Sequence, residues 1–250
     1  MARVGGFLVA IALFLCASQA QAAVLLTDGF DTYATQAAFD AAWTPSTTSG
    51  GVTLTTTPNN TPPNSVMGQT AAGFRSTKSF TEFQPNATTD IELTFKMQVP
   101  STALGRQYVD LIDGAASASG QIFEFGVNNG VATNEWAVRM LGSAEANVFT
   151  PLDAAAPDRV ANQWFDFRAV IHMETATTAS AKVYVNDVLG KTLTGFTLRS
   201  YDAVRVGSNI SSAITAFYDD VKVQTIPVPE PASLGLIGVA GLGLLRRRKA

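Results

Sequence analysis

Cysteine is almost missing from this chain of 250 residues: Cys16 stands alone, inside the apolar run at the start. The chain beyond that run therefore has no disulfide, no thiol nucleophile and no cysteine metal site. Its folded part depends on its own apolar core. Histidine is as scarce. His172 has no second histidine with which to hold a transition metal. A Gly-x-Ser-x-Gly nucleophile elbow is lacking, as is a glycine-rich phosphate loop. No internal repeat is visible. Apolar runs are short: Val4–Leu15 and Ala232–Leu245 both fall below the roughly 20 residues that span a bilayer comfortably.

What is present starts at the ends. The chain opens MARVGGFLVAIALFLCASQAQA. Arg3 is a short positive region, Val4–Leu15 is apolar, and Ala20 and Ala22 put small residues where a signal peptidase reads. This predicts a secretory signal helix over residues 1–22, cut after Ala22. Leu15 before Cys16 is too bulky for a lipoprotein cleavage site.

The other end reads VPEPASLGLIGVAGLGLLRRRKA. Ala232–Leu245 would make a helix of about 21 Å at roughly 1.5 Å per residue, short for a hydrocarbon core of about 30 Å. Its glycines weaken it further. Arg246, Arg247, Arg248 and Lys249 act as a cytoplasmic stop. In order, spacing and position, this segment resembles the PEP-CTERM sorting signal. Pro229, Glu230 and Pro231 supply its name motif and Arg246, Arg247 and Arg248 its basic end. The resemblance implies a short, transient transmembrane helix over residues 227–250. It also implies processing by an exosortase-type transpeptidase at the inner membrane of a Gram-negative bacterium that produces exopolysaccharide. The body would then pass to the cell surface or extracellular matrix. An ordinary C-terminal anchor is the alternative.

Between the ends lies a body of residues 23–226, the length of one all-β domain. Removing both ends takes away five cations and one acid, leaving a net charge of about −7. That argues against nucleic acid or anionic lipid as partner. DIELTFKMQV (90–99) and NQWFDFRAVIHM (162–173) alternate with period two, the mark of half-buried strands. Ile91, Leu93, Phe95, Phe165, Phe167 and Ile171 are expected to face inward, with Val183 and Val185 of a later strand. Further strands are expected at 52–56, 108–112, 121–127, 136–141, 181–185, 204–207 and 216–223. A short helix is expected over 35–43, where Phe39 and Trp43 share a face. Residues 44–64 read as loop around at most one short strand.

Many strands without helical crossovers predict an all-β fold of antiparallel sheets packed face to face. The Trp-led strand of NQWFDFRAVIHM, the following AKVYVND and the final VRVGSNISSAITAFYDDVKVQ are similar to the concanavalin A-like, laminin G-like jelly-roll family. The resemblance implies a two-sheet sandwich. An immunoglobulin-like sandwich is the rival, for which the body is long. Relatives of this fold include glucanases with a Glu-x-Asp-x-Glu strand, and this chain has none. Glu92, Glu124 and Asp166 read as single, solvent-facing acids. His172 reads as a strand-end histidine near Glu174. Asp28, Asp219 and Asp220, with Asp31, form the best acidic cluster and would suit calcium if the first and last strands are neighbours. Trp43, Trp136, Tyr108 and Tyr201 could stack on sugars or pack inside. The expectation is a non-catalytic surface protein that binds a glycan or exopolysaccharide. The alternatives are a purely structural protein and, distantly, a glycoside hydrolase.

Overall fold

A computed structural model describes residues 22–46, 50–60, 64–68, 74–114, 122–132, 134–140, 148–208 and 214–228. The signal helix, Pro229 to Pro231 and the basic tail lie outside the described residues. Within them, no helix is long and apolar enough to cross a membrane. The elements in chain order are β1 (Val24–Asp28), α1 (Gln36–Ala42), β2 (Thr44–Pro45), β3 (Thr53–Thr55), β4 (Ser65–Gly68), β5 (Arg75–Phe83), β6 (Thr89–Gln98) and β7 (Gln107–Ile112). After these come β8 (Ile122–Val127), β9 (Ala137–Met140), β10 (Thr150–Pro151), β11 (Trp164–Met173), β12 (Thr178–Val185), β13 (Val188–Thr197), β14 (Tyr201–Gly207) and β15 (Ala216–Pro227).

They build two antiparallel sheets. The first runs β13-β12-β11-β6-β15-β4-β3, with β1 paired to β15. The second runs β10-β9-β8-β7-β14-β5-β2. Strands far apart in sequence lie side by side, as β6 does with β15 and β7 with β14. This is a jelly-roll sandwich.

Alternation along each strand puts one apolar face of each sheet into a shared core. All eight residues expected to face inward are buried, none more than 2% exposed. Phe95 of β6 stacks on Phe167 of β11 at 4.7 Å. From the second sheet, Phe125 meets both rings edge-on, at 5.9 and 5.0 Å. These three rings tie the sheets together near their centre.

The helix forms as expected. Thr35 caps it by accepting from the Ala38 amide at 3.2 Å, and Trp43 ends it in an extended conformation. Six strands were not foreseen: β1, β2, β4, β5, β10 and β13. β5, RSTKSFTEF, is too polar to show an apolar alternation, and the ladder to β14 holds it. In β13 a register shift against β12 spaces the buried Leu193 and Phe196 three apart, which hides the period of two.

Candidate functional site

The first and last strands do pair, with Asp28 opposite Val221. The acidic residues there are heavily engaged. Asp28 Oδ2 accepts from Lys78 Nζ and the Tyr33 hydroxyl, both at 2.6 Å, and from Trp43 Nε1 at 2.8 Å. Its Oδ1 accepts from the Phe30 amide at 2.8 Å. Burial alone would raise this carboxyl, but the four hydrogen bonds outweigh it and hold it below its ordinary value. A lysine ammonium thus occupies the place of a cation at Asp28. Asp219 is fully buried and accepts from the amides of Asn60 and Asp220. Asp220 sits on a bulge of β15 with φ 49°. Oxygens of Asp31 and Asp220 both reach within 3.5 Å of the place a Cβ on Gly29 would take. Asp31, more than Asp28, is therefore the N-terminal acid that approaches Asp220. Among the described residues, no three His, Cys, Asp or Glu side chains come together to hold a metal ion.

The four aromatic candidates, Trp43, Trp136, Tyr108 and Tyr201, are all buried, none above 2% exposed. His172 pairs through Nδ1 with Asp90 at 2.7 Å, not with Glu174. Burial raises the Asp90 carboxyl, and His172 pulls it back. Asp166 is exposed, as expected. Glu92 and Glu124 are not: they are 8% and 5% exposed. An alternating polar residue on an outer face can still be covered by its cross-strand neighbours, and both glutamates are.

Glu124 leads to the arrangement that single-strand reading could not find. On the outer face of the second sheet it lies directly opposite Asp110 of β7 on one side and Arg139 of β9 on the other. Asp110 lies opposite Arg205 of β14, which lies opposite Thr77 of β5. One register row, Thr77-Arg205-Asp110-Glu124-Arg139, crosses five strands. Arg205 places Nε and Nη2 each 2.7 Å from Asp110 Oδ2. Arg139 Nε donates to Glu124. Asp110 is 1% exposed, and its Oδ1 has no hydrogen-bond partner among the described residues. Burial pushes the Asp110 carboxyl up to about 7. Arg205 opposes this and the Glu124 charge adds to it.

The neighbouring row is Arg75-Gly207-Tyr108-Gly126-Ala137. Glycines flank Tyr108 on both sides because the neighbouring backbones come too close for a Cβ at either one. The Tyr108 hydroxyl accepts from Asn128 Nδ2 at 2.7 Å, and burial keeps it protonated. Phe149 stacks on the Tyr108 ring at 4.9 Å, and the Arg139 guanidinium lies 4.2 Å from the centre of the Phe149 ring. Asp110, Glu124 and Arg205 are buried on this face, and Arg75 and Arg139 are its half-buried, more accessible cations.

Residues 227–249 match the PEP-CTERM protein-sorting motif. That motif marks the chain for exosortase-dependent sorting and export. No curated protein matches the sequence. Among solved structures, the body is similar to the cellulose-induced protein Cip1, at 15% identity and TM-score 0.52, over 79% of this chain and 96% of that one. It is also similar to the alginate lyase Aly36B, at 10% identity and TM-score 0.53, over 79% and 95%. At these identities the likeness shows the fold: a jelly-roll sandwich.

Proposed function

We propose that this is an exported, exosortase-sorted surface protein whose sandwich binds an acidic polysaccharide without cleaving it. The observation that carries the reading is the face where the half-buried Arg75 and Arg139, with the buried Arg205, outnumber the two carboxylates Asp110 and Glu124. Burial of one of those, Asp110, favours its neutral form. A body of about −7 net charge thus presents one locally cationic surface, which suits a polymer of spaced carboxylates better than a dense polyanion. Guanidinium groups bind carboxylates through paired, charge-assisted hydrogen bonds. Tyr108, between two glycines, is buried under the half-buried Phe149, whose ring is the aromatic surface of this face. Upstream of this, signal peptidase cuts after Ala22. The exosortase-type transpeptidase reads Pro229-Glu230-Pro231 while Arg246, Arg247 and Arg248 stay cytoplasmic. The body then reaches the cell surface or matrix of a Gram-negative cell.

The test is titration with hexagalacturonate and, as a neutral control, cellohexaose. Acidic binding that weakens with salt and with Arg75→Gln is expected. Equal binding of the neutral oligomer would contradict the reading, and no binding at all would favour a purely structural protein. A second reading, polysaccharide cleavage, draws on the direct juxtaposition of Asp110 and Glu124, since glycoside hydrolysis needs two nearby carboxyls. Against it, Asp110 is 1% exposed and both acids are held by arginines. Product release that is lost in Glu124→Gln would establish cleavage instead.

A further inference from the structure

The outer face of the first sheet, on the opposite side of the sandwich, carries a cavity of about 440 Å³. That is within the usual size of a small-ligand site, roughly 300–1,000 Å³. Two register rows build it. In one, Tyr184 of β12 lies opposite Arg168 of β11, Arg168 opposite Thr94 of β6, Thr94 opposite Lys222 of β15, and Lys222 opposite Thr27 of β1. Thr94 is short and stands between two long cations, which makes the depression. Arg168 is held in place by stacking, its guanidinium 3.8 Å from the centre of the Tyr184 ring. Its acidic contacts, to Glu92 at 3.6 Å and Asp187 at 3.8 Å, are long. Lys222 makes no ion pair among the described residues.

The second row sets one cation between two acids. Lys96 sits 3.7 Å from Asp166 and 3.3 Å from Asp220. Asp220 reaches it through the bulge in β15, where the register against β6 shifts between Asp219 and Lys222. Asp219, opposite Lys96, is buried and accepts from the Asn60 amide, and the extra residue, Asp220, lines the cavity. Bulges re-aim side chains in this way, and aspartate tolerates the left-handed backbone that this one needs.

Those residues define a ligand chemistry. Arg168 and Lys222, either side of the Thr94 hydroxyl, fit one carboxylate. Asp166, Asp187 and Asp220 around it accept from hydroxyls and repel further negative charge. A phosphate-rich polymer or a bare polyanion meets three carboxylates there, whereas a sugar with one carboxylate and several hydroxyls meets complementary groups on every side. We propose that this cavity is a second, separate site for a uronic-acid residue. One chain then holds acidic polysaccharide on both outer faces and bridges two strands. The bridging, though not the cavity's own chemistry, rests on the arginine-face reading above.

Calorimetric titration of the purified protein with hexagalacturonate decides it. Two sites per chain are expected. Lys222→Met, which breaks no ion pair, and Thr94→Arg, which fills the depression, should each weaken one site by about tenfold or more. Arg75→Gln should weaken the other. Two sites untouched by both Lys222→Met and Thr94→Arg would overturn the inference. A single wild-type site lost in Arg75→Gln would overturn it while leaving the arginine face standing. A single site lost in Lys222→Met but kept in Arg75→Gln would uphold the cavity and remove the arginine face, and bridging with it. Cellohexaose bound as tightly as the acidic oligomer at the cavity would overturn the uronate assignment.

Discussion

Asp110 faces Arg205, Arg75, Glu124 and Tyr108 on its own face and, through the sheet, Tyr218. Its carboxyl titrates near 7 in the fold against an ordinary value of 3.8, because burial penalises the charge. The folded chain therefore holds an extra proton between those values, and this residue's contribution makes stability fall as pH rises from about 4 to 7. Asp110→Asn removes that contribution. Chemical denaturation across this range should show a flatter profile for the variant, and a slope equal to that of the wild type would contradict the account. Phe95 tests packing. It is 2% exposed and touches rings from both sheets, so Phe95→Ala should lower stability by roughly 3–5 kcal/mol. A loss below about 1 kcal/mol would show that this ring is not central to the core.

At the scale of elements, β6 and β11 form from their own alternation, and α1 forms from its cap and its aromatic face. The outer face of the second sheet instead depends on how closely β7 and β8 approach. At Gly126 a Cβ would run into the backbone of Gln107 and Tyr108. Gly126→Val should push β8 off β7 and misalign Glu124 with Asp110. A stability loss of about 1–3 kcal/mol is expected, together with weaker binding of acidic oligosaccharide. A variant that melted and bound like the wild type would show that the ladder has slack there.

At the scale of the whole molecule, the C-terminal motif over residues 227–249 carries the sorting signal. Neutralising Arg246, Arg247, Arg248 and Lys249 removes the positive stop after the short apolar run. The unprocessed mass should persist and the protein should fail to reach its destination. A mature mass and location unchanged from wild type would contradict this. The destination signal, the antiparallel β class and the inward residues of β6 and β11 were legible in the sequence. Those properties are local: sorting machinery reads a linear segment, and alternation is built into the pleat of a single strand. The polar faces were not legible. Asp110 and Arg205 stand 95 residues apart, and Arg168, Thr94 and Lys222 come from three strands. An alternating polar residue looks the same whatever lies across the ladder from it. Only strand order, register and the bulge at Asp220, all products of long-range pairing, decide which charges become neighbours, and therefore which of them are buried supports and which can hold a ligand.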